Sequence, residues 1–299
     1  MKYIYIPTIL LFFILAFSSK SYGQNEFPVL EGPYLGQNPP HLIPYVFAPG
    51  IISINGRHEV GISFSPGLDE IYFTASREDE DQLIYFSKVE DKKWIPIQRA
   101  KFTNETHEMH PFVSHDGKRL YFTAVNSDFT SDKIWYVNRL ENSWGKAIKL
   151  DSPINDDNVF YPIEAKNGDL YYFSLSTWKT YYAPNVNGSF PKVKEVEIGK
   201  FGIHAAISPS QDYIVVNARN KEDDSRKDSE IYVYFKKNDG TWTKPINLGD
   251  TVNSNFHERV PSITPDGKYL FFSRYNEEGE VSNLYWVSTE VIENVRPKL

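Results

Sequence analysis

Seven histidines and a scatter of arginines offer most of this chain's chemistry. Three of the histidines are followed directly by glutamate, as His58-Glu59, His107-Glu108 and His257-Glu258, each opening a similar segment. Three residues further into those segments, and into two weaker copies, stand Gly61, His110, Tyr161, His204 and Val260. Imidazoles transfer protons near neutral pH, so His110 and His204, with Tyr161 between them in register, are the first candidates for catalysis. Further along each copy come Arg77, Asn126, Ser176, Arg219 and Arg274. A guanidinium matches planar carboxylate or sulfate groups, which makes Arg77, Arg219 and Arg274 candidates for binding an acidic substrate. The repeated His-Glu pairs have a plainer reading as hydrogen-bond devices joining neighbouring units.

These residues are positioned by a repeat. HEVGISFSPGLDEIYFTA from His58 returns as HEMHPFVSHDGKRLYFTA from His107 and HERVPSITPDGKYLFFSR from His257. NVFYPIEAKNGDLYYFSL from Asn158 and FGIHAAISPSQDYIVVNA from Phe201 are weaker copies. Turn anchors at Pro66, His115, Lys166, Pro209 and Pro265 are separated by 49, 51, 43 and 56 residues, a period that points to a propeller or solenoid. Each copy reads as four short strands: one before the turn, an aromatic one after it, a third beyond a polar loop, and a fourth at a Trp-x-x-Pro-like segment such as Trp94, Trp144 or Trp242. The last copy ends after three strands, whereas Pro44-Tyr-Val-Phe47 is a fourth strand without a unit. The expectation is an all-β single propeller of five four-stranded blades, closed by that N-terminal strand. Six blades, with residues 27–57 as a degenerate one, is the alternative. First strands line the axis of a propeller, so His110 and His204 should approach each other, whereas strict alternation would part His107 from His110.

The Phe/Ile-Ser/Thr-Pro-Asp-Gly-Lys-x-Leu/Tyr-Phe motif resembles the WD40-like repeats of the translocation protein of the Tol system (TolB type) and of many secreted Bacteroidetes proteins. Relatives of that kind include scaffolds, peptidase-associated domains and carbohydrate-active lyases, so the resemblance implies a fold before a function. The chain is also similar to the propeller oligogalacturonate lyases, and to propeller enzymes that dehydrate the ends of ulvan oligosaccharides. That resemblance implies β-elimination on uronic-acid-containing oligosaccharides. His107 and His257, with His110 and His204, would be candidates for holding a divalent metal ion or acting as base, and arginine would face the substrate carboxylate. Tyr161 would be acid or alternate base. The imidazoles lack the compact spacing of a diagnostic metal motif. A non-catalytic periplasmic propeller that binds a glycan or a protein partner is the competing reading. A glycosidase is a third, needing two opposed carboxylates.

Composition narrows the setting. Net charge is -7 with both signs interspersed, which excludes a nucleic-acid surface. The 20 Tyr, 20 Phe and 6 Trp suit both strand packing and sugar binding. Residues 1–23 have a secretory signal's layout: Lys2, an apolar core from Ile6 to Phe17, and Ser21-Tyr22-Gly23 at the cleavage point. The mature domain is then 24–299, periplasmic or secreted, without stable membrane insertion after cleavage, and without cysteine for lipid or disulfide.

Overall fold

The computed structural model describes residues 27–141, 143–220, 228–276, 279 and 281–298. The signal segment 1–23 lies outside the described residues, as do parts of the charged loops after Asn220 and Asn276. Alternating, β-branched and aromatic segments form antiparallel units of four strands, five of them among the described residues. Their innermost strands are His58–Phe64, His107–Val113, Val159–Glu164, Ile203–Ile207 and Glu258–Ile263. Each innermost strand lies beside the next, and the fifth returns to the first.

The turn to the second strand explains the repeated Ser/Thr-x-Asp-Gly. Ser114 Oγ donates to Asp116 at 2.7 Å, and Gly117 takes φ 71°, a left-handed conformation that glycine adopts without a Cβ clash. Thr264, Asp266 and Gly267 repeat the arrangement in blade five. Hydrophobic packing occurs between blades, since a four-stranded unit cannot bury both faces alone. Tyr72, Ala100, Leu120 and Phe122 fill the first interface, and Tyr121, Leu170, Tyr172 and Phe190 the second.

The N-terminal segment closes the ring. Tyr45 and Val46 pair with Trp286 and Tyr285 of blade five, as its outermost strand. Residues 27–57 are no degenerate sixth blade: they form a strap across the junction of blades five and one. Trp94 Nε1 donates to the Gly32 carbonyl at 2.7 Å on one side, and the Phe47 amide to the Leu284 carbonyl at 2.7 Å on the other. Tyr34, Leu35, Phe47 and Ile52 are buried there against Phe64, Phe271 and Trp286.

Two details differ from the expected strand pattern. The outer strands of blades two and four begin beyond the tryptophan, at Ile148–Lys149 and Ile246–Asn247. Trp144 and Trp242 instead make single bridges to Arg139 and Lys236 in the preceding turn, where a large ring fits a corner better than a ladder. The C-terminal run turns into a short helix, Glu290–Glu293, whose Val291 and Ile292 pack into the interface of blades four and five.

Candidate functional site

Every innermost strand carries a β-bulge, and each bulge contains a left-handed residue at the same register: Gly61, His110, Tyr161, His204 and Val260, with φ from 52° to 61°. Four of the five are not glycine, and a left-handed valine is strained by roughly 1–3 kcal/mol. Bonds between blades hold the bulges in place. The His110 amide donates to Thr74 Oγ1 (2.9 Å), Tyr161 to Thr123 Oγ1 (3.1 Å) and Val260 to Asn217 Oδ1 (3.2 Å). A bulge re-aims the side chain it carries, here onto the axis. The rings of His110 and His204 lie 5.5 Å apart, with Tyr161 at 5.4 and 5.1 Å from them.

His110 and His204 therefore meet, but inside the molecule. They are 7% and 8% exposed and Tyr161 2%, and the Tyr161 hydroxyl donates to the Pro261 carbonyl. A Cβ at Gly61 would stand 3.2 Å from the His110 ring, so the bulge residues plug the axis. The catalytic roles expected of His110, His204 and Tyr161 need an exposed reacting atom, which a sealed plug does not present. Burial holds His110 well below the usual imidazole range, helped by His204 and His58. Burial also brings His204 down to about 4, with the Asn217 bond opposing and Arg259 adding to the shift.

The His-Glu pairs are fasteners between blades. His107 Nδ1 accepts the Gln82 amide at 3.1 Å, and His257 Nδ1 the Ser229 amide at 2.9 Å. His58 Nδ1 meets Ser282 Oγ at 2.9 Å, so each histidine bonds the start of the preceding blade's third strand. The glutamates cap the links that cross between blades. Glu108 accepts from Thr103 Oγ1 and the Phe102 amide, Glu258 from Ser254, and Glu59 from Arg57 and the Ile54 amide.

This geometry does not suit the expected metal. An Nδ1 that accepts a backbone N–H leaves the neutral imidazole's proton on Nε2, so a metal there would have to displace it. Among the described residues no group of three or more His, Cys, Asp or Glu side chains stands ready for an ion. His107 and His257 are better described as bonded partners of the preceding blade than as metal ligands.

The arginines separate sharply. Arg274 is no substrate ligand: its Nε donates to the fully buried Glu258 at 2.7 Å and Nη2 to the Val252 carbonyl at 2.8 Å. Arg77 is exposed on its turn, where its amide donates to Glu80. Arg219 lines a cleft at the mouth of the axis with Trp178, Phe201, Asp228, His257 and Arg259. The cleft encloses about 490 Å³ and draws on the starts of blades four and five and the top loop of blade three.

Arg259 is the residue that sequence reasoning missed. Its equivalents in the other innermost strands are Val60, Met109, Phe160 and Ile203, so its charge alone marks it out. Its guanidinium lies 4.9 Å from the centre of the Tyr275 ring and reaches His257 Nδ1 only at 3.4 Å. Arg57, Arg139, Arg274 and Arg296 each pair with a carboxylate, whereas among the described residues none pairs with Arg259. Its charge contributes to the depressed pKa of His58, His204 and His257, in each case after burial. Beside it Trp178 is 47% exposed and packs edge-on against Phe173. A second cleft of about 540 Å³, near the start of the second strands of blade one, also holds an arginine. There Glu70 grips Arg139 through both oxygens at 2.7 Å.

The repeating four-stranded units around a plugged axis have counterparts among solved structures. A GH43 endo-arabinanase from Bacillus licheniformis matches with a TM-score of 0.53 and 11% identity, over 79% of this chain and 96% of that one. The catalytic domain of a Coprinopsis cinerea GH62 alpha-L-arabinofuranosidase matches with a TM-score of 0.52 and 10% identity, over 84% and 98%. The chain is a β-propeller. A putative TolB from Agrobacterium tumefaciens is similar at a TM-score of 0.48 and 15% identity, over 73% of the propeller chain and 70% of its own. No family model matches the propeller, and no curated protein does. Identities this low concern the fold. No helix among the described residues of the propeller is long and apolar enough to cross a membrane.

Proposed function

We propose that this propeller binds acidic oligosaccharides at the mouth of its axis, with Arg259 receiving a sugar carboxylate and Trp178 stacking against a ring. The observation that carries this reading is the half-buried Arg259 with no carboxylate partner among the described residues. A partly desolvated guanidinium loses some hydration, which a neighbouring aromatic face offsets only in part. A ligand carboxylate would offset the remainder. Lys200 and Arg219 line the same cleft, and Asp228 is the carboxylate beside them, so cations outnumber anions at the mouth on a chain whose net charge is -7.

Binding is favoured over uronate elimination by the state of the imidazoles. Elimination needs a base with a lone pair facing the substrate. His257 lines the cleft, but its Nδ1 is occupied by the Ser229 amide, which makes Nε2 a donor. His204 is the better base in principle, and it is sealed in the plug.

Isothermal titration with oligogalacturonides, ulvan fragments and neutral oligosaccharides of equal length tests the proposal. Acidic ligands should bind at least tenfold tighter than neutral ones. Arg259→Ala should weaken acidic ligands by roughly 10- to 100-fold, the worth of a charge-assisted hydrogen bond. Equal binding of acidic and neutral ligands, or an Arg259→Ala variant that binds like the parent, would sink it. Unsaturated product absorbance on any of these substrates would move the protein to the elimination reading.

A further inference from the structure

We infer that the ligand surface extends beyond the cleft to Phe129 on blade two, which acts as a second stacking platform and selects longer acidic oligosaccharides. This rests on the binding reading above. Phe129 is 59% exposed at the tip of the loop between the second and third strands of blade two, and Trp178 occupies the corresponding loop of blade three. Both take the left-handed conformation, at φ 55° and 58°. A large exposed aromatic in that conformation is strained, and asparagine or glycine would serve the turn better.

The Phe129 ring is held rather than loose. It stacks on the His107 imidazole, with centres 4.5 Å apart and planes 28° from parallel. His107 is itself fixed by the Gln82 amide, and so covers one face of Phe129 from a rigid position. Asn126 and Asp128 tie the loop through Thr130. A preorganised aromatic face loses little entropy when a sugar ring settles on it.

Asn158 links the two platforms. Its side-chain amide donates to the carbonyl of Thr130, next to Phe129, and its own carbonyl accepts the Leu175 amide of the loop that carries Trp178. Asn158 thus joins the two loops into one rim, and a ligand on Trp178 that continues around the mouth meets Phe129 on the adjacent blade. A single sugar on Arg259 and Trp178 does not need Phe129. A chain of several does.

Titration with oligogalacturonides of two to six units tests this on the protein and on Phe129→Asn, Phe129→Tyr and Arg259→Ala. The parent should gain affinity with chain length. Phe129→Asn should bind the dimer within about twofold of the parent but the hexamer roughly five- to twentyfold more weakly, while Phe129→Tyr keeps both. Asparagine suits the left-handed position, so the melting temperature of Phe129→Asn should not fall, which separates a binding role from a structural one. A hexamer affinity unchanged in Phe129→Asn, or a parent without length dependence, overturns the inference. Loss at every length in Arg259→Ala alone would leave the cleft reading standing.

Discussion

His204 Nδ1 lies 2.9 Å from Asn217 Oδ1, the same oxygen that accepts the Val260 amide at 3.2 Å. Since the Val260 N–H fixes the amide's orientation, His204 must donate from Nδ1 and keep its lone pair on Nε2. One side chain of blade four thereby secures its own plug residue and the bulge of blade five.

Removing that side chain should be felt in both blades. Asn217→Ala leaves the Val260 amide and His204 Nδ1–H buried without partners, and should destabilise the fold by about 2–4 kcal/mol in urea unfolding. Asn217→Asp should raise the His204 pKa above its present value of about 4, followed by NMR titration of the ring.

Arg274 provides the test that it is a structural residue. Arg274→Ala strands the buried Glu258 carboxylate and should cost about 3–5 kcal/mol in denaturant unfolding. Its affinity for acidic oligosaccharides, measured below the melting temperature, should match that of the parent. A large loss of affinity with unchanged stability would return Arg274 to the ligand site.

Glu164 sets an expected pH dependence. It stands buried where the other blades carry Phe64, Val113, Ile207 and Ile263, accepts the His115 amide at 2.9 Å, and burial pushes its carboxyl up to about 7. The folded state therefore holds this proton more tightly than the unfolded chain does. The resulting stability is present below pH 4.5 and lost as pH rises towards 7. Glu164→Gln should equal the parent near pH 4 and exceed it by roughly 3 kcal/mol at pH 8. His204 slopes the other way: its folded pKa of about 4 against 6.5 favours folding above 6.5, a gain lost as pH falls towards 4. Comparing the parent with the single variant isolates the glutamate.

Arg259 should be visible through its neighbour. Burial first, and Arg259 second, lower the pKa of His257. Arg259→Met should move that pKa upward, read by NMR, and saturation with an acidic ligand should do the same in the parent by neutralising the guanidinium. A His257 titration indifferent to both would contradict a carboxylate at Arg259.

The strap offers a contrast between two nearby aromatic residues. Phe47 is completely buried against Phe64, Phe271 and Trp286, so Phe47→Ala should cost about 3–5 kcal/mol. Tyr45, 54% exposed two residues away, should tolerate alanine within about 0.5 kcal/mol. Thermal or urea unfolding of both variants checks the pair.

Repetition made the architecture legible. Turn anchors at Pro66, His115, Lys166, Pro209 and Pro265 mark the units, and the orphan strand around Tyr45 marks the closure, because each depends on local turn chemistry and a period that the chain writes out openly. The shared register of His110 and His204 was readable for the same reason. What only the tertiary structure decided is which side chains reach the mouth of the axis and which are buried or paired. A left-handed bulge at His110, Tyr161, His204 and Val260 is not announced by residue type, since it is held by Thr74, Thr123 and Asn217 of neighbouring blades. Arg274 and Arg259 look alike in sequence, yet a buried carboxylate neutralises one, whereas the other has the Tyr275 ring and His257 beside it and no carboxylate partner among the described residues. The physical reason is range: turns and strand periods are set by neighbours along the chain, whereas burial and charge pairing are set by residues that meet only when the blades pack.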